Sequence, residues 1–246
     1  MELPKKKVKA TTKSPTTLLL YSAPKVGKTT TIAQLEDCLI IDFEEGTKFV
    51  DSLHVRANNA AELQQILIAL KKEKSATGKN PYKYLALDTA TRLEEIAEEI
   101  GVELYKGSSM GKKFDGGPME LKALPMGAGY GYIRNAYKIL LNSFSNLCDR
   151  LILIGHTKDK YITKDDKEVI ANDIDLSGKL AGIVTQKMDA IGYLTRKKNK
   201  VFVSFKTDGE TTTGNRSKHL SGKEILLSEE DENGNLVPHW DQIFID

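Results

Sequence analysis

Cysteine is scarce in this chain: its 246 residues hold two, Cys38 and Cys148, at no metal-ligand spacing. Each stands beside an apolar run, so both read as small buried residues of a reducing compartment. Charge imbalance is also missing. A formal net charge of +2 gives no global pull toward nucleic acid or membrane, so any DNA-binding surface has to be a local patch. Long apolar runs are absent, which excludes a bilayer-spanning helix and a membrane partner. The first residues lack the apolar segment of a secretory signal, and the cytoplasm is the expected location. No repeat occurs at solenoid periods. The basic run Lys5-Lys6-Lys7-Val8-Lys9 reads as a solvated terminus rather than an import signal or nucleic-acid arm. Residues 1–15 are therefore expected to form a flexible basic arm, and 16–246 one domain.

What is present is an ordinary globular composition, 40% hydrophobic, which excludes disorder for most of the chain. Short apolar runs at residues 16–21, 38–43, 84–87 and 151–154 predict buried strands. Helical patterns fall between them, from Lys28 to about Leu35 and from 132 to 147. Asn59 is suited to cap a helix that runs through Ile66 and Leu70 and ends at Gly78. Thr91 with Glu94 predicts a capping box for a further helix. Two alternating runs between 188 and 205, separated by Lys197-Lys198-Asn199-Lys200, predict a hairpin. Trp240 and Phe244 are expected to pack a terminal strand. Glycine-rich residues 107–131 read as a long mobile loop, and 157–178 as a polar one. Strands alternating with helices predict an α/β fold: a mostly parallel sheet flanked by helices, with a C-terminal β-hairpin extension.

The strongest motif is Ser22-Ala23-Pro24-Lys25-Val26-Gly27-Lys28-Thr29-Thr30. It follows a strand and opens a helix, the setting in which backbone N–H groups and a helix N-terminus cradle phosphates. Gly27 lets the backbone approach, Lys28 reaches the β- and γ-phosphates of ATP, and the Thr29 hydroxyl ligates Mg²⁺. The usual pattern opens on glycine where this chain has Ser22, which serine can replace if the backbone there is not left-handed. Asp88 ends an apolar strand at the edge where such sheets bind ligands, placed to hold the Mg²⁺ shell. Glu44, with Glu45 as second choice, ends another strand and is the candidate general base. His156 ends a fourth strand and is the candidate sensor of the γ-phosphate.

These four pieces, in this order, resemble the RecA-like P-loop ATPases. More closely, they are similar to phage-encoded nucleotide-binding proteins with a minimal RecA core, some of which are single-strand DNA annealing proteins. Asp175-Leu176-Ser177-Gly178-Lys179-Leu180, Met188-Asp189-Ala190-Ile191-Gly192-Tyr193 and Gly214-Asn215-Arg216 look like the later part of that family. The resemblance implies an ATPase in the cytoplasm of a host cell, stimulated by single-stranded DNA and acting in annealing or homologous recombination. It places DNA on loops 107–130 and 157–179, with Lys112, Lys113, Lys158 and Lys160 meeting phosphates and Tyr130 and Tyr132 stacking bases. It also implies self-association into a ring or filament, with a cation reaching the γ-phosphate from a neighbouring subunit; Lys206 and Arg216 are the candidates. A single-strand-binding protein or another replication or recombination protein would be a further partner. The competing expectations are an ATP-driven loader or remodeller of a replication protein, a small-molecule kinase, and a nucleotide-gated scaffold without turnover.

Overall fold

The computed structural model describes residues 3, 5–164 and 167–246. In chain order the first half comprises β1 (Thr17–Ser22), α1 (Lys28–Ile32), β2 (Cys38–Asp42), β3 (Leu53–Arg56), α2 (Ala60–Thr77), β4 (Tyr82–Asp88) and α3 (Ala90–Lys106). Then follow α4 (Pro118–Lys122), α5 (Ala128–Ser145), β5 (Cys148–Lys164), β6 (Lys167–Ile174), α6 (Leu180–Lys187), β7 (Ala190–Lys197) and β8 (Lys200–Ser204). The chain closes with β9 (Gly214–Asn215), β10 (Glu224–Glu230) and β11 (Leu236–Pro238).

The sheet runs in the order β11-β10-β8-β7-β1-β5-β4-β2-β3, with β6 attached to β5 and β9 to β7. From β7 across to β3 neighbouring strands are parallel, and the remaining pairings are antiparallel. This is the expected α/β architecture with its C-terminal β extension. The central strands are almost continuously apolar because both faces are covered. Alternation sends Leu19 and Tyr21 into a core with Leu63, Leu93 and Tyr137 from α2, α3 and α5. It sends Leu18 and Leu20 to the opposite face, against Ile32 of α1 and the C-terminal Trp240 and Ile243. The Trp240 indole donates to the carbonyl of Thr31 at 3.1 Å, so the C-terminal segment holds α1 in place behind the phosphate loop. It does so as a 3-10 turn over Trp240–Gln242, not as the expected terminal strand. Thr12, Lys13 and Ser14 all hydrogen-bond the Asp246 carboxylate, which ties the start of the body to its end.

Other departures have identifiable causes. The glycine-rich stretch 107–131 is not a mobile loop. It contains α4 and the start of α5, and Leu121 is fully buried with Val102 and Ile133. Its glycines serve close packing: a Cβ on Gly129 would lie 1.8 Å from the carbonyl oxygen of Leu121, and one on Gly111 1.9 Å from that of Tyr105. The polar stretch after His156 is a hairpin, because β5 runs on past the core and pairs with β6. Residues 165 and 166 of that predicted loop, and 1, 2 and 4 of the predicted arm, lie outside the described residues. The expected capping box does not form either. The N-cap of α3 is Thr89; Thr91 donates instead to the carbonyl of Asp175 at 2.9 Å, and the Glu94 carboxylate accepts from the backbone N–H and hydroxyl of Ser177. Edge strand β3 lacks an apolar run, hence any sequence signal. The Asn59 cap does form, accepting from the Glu62 N–H at 2.9 Å, and Gly78 closes α2 at φ 70°.

The register decides where function can sit. Ser22 lies beside His156, and Asp42 beside Asp88. Four adjacent strand ends thus deliver their polar residues to one edge.

Candidate active site

The chain leaves β1 at Ser22, turns through Lys25 at φ 63° and Gly27 at φ 106°, and enters α1 at Lys28. The left-handed positions are thus Lys25 and Gly27. Ser22 keeps the backbone of a strand residue, so the absence of glycine there carries no steric cost. Its hydroxyl donates to the Ala23 carbonyl at 2.8 Å. Pro24 is exposed at the turn, while Val26 packs against the apolar core below. Lys28 is buried and Thr30 half-buried in the first turn of α1. The Lys28 ammonium donates to the carbonyls of Ala23 (3.0 Å) and Ser22 (3.3 Å) and to the Ser22 hydroxyl (3.3 Å). Burial lowers its pKa, and the negative charges of Asp88 and Glu44 oppose that shift. The loop therefore presents a partly desolvated cation whose charge an incoming phosphate would satisfy.

Thr29 donates its hydroxyl to Oδ2 of Asp88 at 2.6 Å. Asp88 is 4% exposed. Burial pushes its carboxyl up to about 6, against the opposing hydrogen bond from Thr29 and with help from the charges of Asp42 and Glu44. A divalent cation between the two oxygens would remove that penalty. Among the described residues no cluster of three or more His, Cys, Asp or Glu could hold a metal alone. One hydroxyl and one carboxylate suit Mg²⁺, which keeps several waters and takes its other ligands from phosphate. Gly46 closes this spot from above: a Cβ on it would lie 3.1 Å from the Thr29 hydroxyl and 3.8 Å from Asp88 Oδ2. Gly46→Ala is expected to lower nucleotide turnover at limiting Mg²⁺ by roughly tenfold or more through this crowding, while the melting temperature stays within a few degrees. A magnesium titration of the turnover rate checks it, and unchanged magnesium dependence would refute the crowding.

The third element is a chain of polar contacts across the strand ends. Lys28 Nζ lies 3.4 Å from His156 Nδ1, and His156 Nε2 lies 3.2 Å from Glu44 Oε2. The other Glu44 oxygen accepts from the Thr89 hydroxyl at 2.7 Å. The contact with His156 lowers the pKa of Glu44 most, followed among the lowering influences by the bond from Thr89, and together they outweigh burial. Glu44 is therefore held ionised and aimed, as a general base has to be. Its backbone is set by Asp42, whose carboxylate accepts from the N–H groups of Glu44, Gly46 and Thr47 and from the Thr47 hydroxyl. Burial pushes the Asp42 carboxyl up, but these bonds outweigh it and leave it below its ordinary value. Glu45, the second choice for the base, points elsewhere and pairs with Arg56 at 2.5 Å.

A phosphate-binding turn, an oxygen pair for a divalent cation and an ionised carboxylate thus meet at one sheet edge. Residues 14–217 match the family model of the AAA domain. The chain belongs to this family. It is accordingly a nucleotide-binding P-loop ATPase. No curated protein matches it.

In this AAA domain the other sequence-predicted residues are spread more widely. Lys158 and Lys160 lie on the outward run of β5 and line a cleft of about 750 Å³ with Lys179 and Gly182. Lys158 donates to the carbonyl of Leu176, and Lys160 lies 3.6 Å from Asp173. Tyr130 is exposed and borders an adjoining pocket of about 320 Å³ with Arg134 and Lys179. Tyr132 is half-buried and packs edge-on against Tyr105, ring centroids 5.1 Å apart. Lys112 and Lys113 are exposed but line neither cavity. Lys206 pairs with Glu224 at 3.3 Å, and Arg216 with Asp189 at 3.0 Å and with the Gln186 carbonyl. Each would have to leave its own-chain partner to serve a neighbour. No helix among the described residues is long and apolar enough to cross a membrane. Asp42, Gly46 and Thr89 were not foreseen. The only sequence signal for them was their adjacency to Glu44 and Asp88, because hydrogen bonds between strand ends depend on sheet order.

Proposed function

We propose that the chain is an ATP- and Mg²⁺-dependent ATPase that assembles on single-stranded DNA and promotes annealing or homologous recombination, in line with the phage RecA-like proteins it resembles. The observation that carries this reading is the continuity of β5. One strand presents His156 beside Lys28 and Glu44, and two residues on it presents Lys158 to the cleft that Lys160 and Lys179 line together with Asp159 and Asp173. A change at the γ-phosphate end is therefore felt in a segment suited to the DNA backbone. Lys28 and the loop amides hold the phosphates, Thr29 and Asp88 hold the cation, and Glu44 takes the proton of the attacking water. The cation, when bound, neutralises charge building on the phosphates. His156, between Lys28 and Glu44, reports the loss of the γ-phosphate to β5. Lys158, Lys160, Lys179 and Arg134 meet DNA phosphates, and Tyr130 offers a stacking face. Subunits associate head to tail in a ring or filament, with Lys206 or Arg216 available to the neighbour's site.

The test is ATP turnover with and without an oligothymidylate strand, for the wild type, Lys28→Ala and the double variant Lys158→Ala/Lys179→Ala. The expected result is stimulation by DNA in the wild type, falling severalfold or more in the double variant and steeply dependent on salt. Lys28→Ala is expected to be inactive under both conditions. Turnover indifferent to DNA would refute the DNA reading and favour a loader or remodeller of a replication protein.

A further inference from the structure

Arg196 stands beside the phosphate loop. Strand β1 pairs with β7 up to Tyr21 and Tyr193. Strand β7 then continues to Lys197, pairs with β8 through Arg196–Val201 and Lys197–Lys200, and turns at Lys198 with φ 58°. The β7–β8 hairpin therefore rises beyond the end of β1, alongside the loop. The position that a Cβ on Gly27 would take lies 3.6 Å from Nη1 of Arg196 and 3.7 Å from Cγ2 of Val201. The Arg196 Nε–H donates to the carbonyl of Lys198 at 3.0 Å, which fixes the plane of the guanidinium. Arg56, Arg92, Arg150 and Arg216 are each paired with a carboxylate. Among the described residues Arg196 and Arg134 have no such partner, and of these two Arg196 is the one beside the phosphate loop, in a hairpin whose Lys197 and Lys200 are both paired.

Sheet order says which end of a nucleotide this guanidinium meets. His156, Asp88 and Glu44 come from β5, β4 and the end of β2, all on one side of β1. A triphosphate held by the loop around Lys28 would direct its γ end toward that side, where the oxygen pair for the cation and the ionised carboxylate stand. The nucleoside would then leave on the opposite side of β1, where β7 and β8 stand. A planar guanidinium over a base face is a favourable stacking contact that reads no hydrogen-bonding edge, and an ammonium does not reproduce it.

We infer that Arg196 is the platform for the base of the bound nucleotide, supplied by the same subunit. The inference deepens the nucleotide-site reading and rests on it. The experiment measures binding of Mg·ATP and of magnesium tripolyphosphate, which lacks the nucleoside, to the wild type, Arg196→Ala and Arg196→Lys, together with kcat and KM for ATP. The expected result is ATP binding weakened about tenfold in Arg196→Ala, tripolyphosphate binding unchanged within twofold, and KM raised with kcat at saturating ATP nearly unchanged. Arg196→Lys keeps the charge and is expected to recover little. Equal losses for ATP and tripolyphosphate would overturn the inference by placing Arg196 at the phosphates. A fall in kcat without a rise in KM would overturn it in favour of a charge-stabilising role. Unchanged ATP affinity in Arg196→Ala would overturn it outright, while a wild type that binds no ATP would instead overturn the site reading beneath it.

Discussion

Glu44→Gln is expected to reduce ATP turnover by about 10²- to 10⁴-fold while leaving ATP binding within a few-fold of the wild type. The amide keeps the shape of the side chain and an oxygen to accept from Thr89, so the strand-end scaffold survives. It loses the charge that His156 and Thr89 together hold ionised, and with it the capacity to take a proton from water. The Lys28 bond to the Ala23 carbonyl and the Thr29–Asp88 oxygen pair do not involve the Glu44 side chain and keep their partners. The split between binding and turnover is the diagnostic: a positioning role for Glu44 would disturb both. Parallel measurement of ATP affinity and single-turnover hydrolysis checks it. Turnover within tenfold of the wild type would remove Glu44 from the chemistry.

The phosphate loop and the polar strand ends were legible in the sequence because each is a local event. An apolar run ends, a polar residue follows, and a helix starts; Ser22 to Thr30, Asp88 and His156 are all of that kind. What stayed hidden depends on how the chain folds back on itself or on strand order. Asp42 gives no sign of building the loop that aims Glu44, because its four acceptor bonds need the turn at residues 43–47 to fold back on it. Arg196 is one basic residue among many until β7 is placed beside β1. The stretch 107–131 misleads for a different reason. Glycine is read as freedom when its neighbours are unknown, whereas at Gly111 and Gly129 it marks backbone approaching backbone too closely for any Cβ.

Asp88→Asn should raise the stability of the nucleotide-free protein at neutral pH and abolish magnesium-dependent turnover. The sign follows from burial. The Asp88 carboxyl has a pKa of about 6 in the fold against 3.8 ordinarily, so between those values the folded state holds a proton that the unfolded chain releases. Stability therefore falls as pH rises through that window, and above it the ionised group costs the fold about 3 kcal/mol as an upper figure. Asparagine carries no such charge and still accepts from Thr29. The gap between variant and wild type is expected to be near zero at pH 4, to open as pH rises, and to level off above pH 6 at several degrees of melting temperature. Mg·ATP should reverse the order. The wild type gains stability by binding, since the cation satisfies the carboxylate, and the variant gains little. Thermal melts of both proteins across pH, with and without Mg·ATP, decide the matter. A gap that does not change with pH would show that the charge is not what strains the site, and a variant equally stabilised by Mg·ATP would remove Asp88 from the cation. If both parts hold, a destabilising carboxylate is retained in the core because ligand binding needs its charge, which is the trade between stability and activity expected of a binding site.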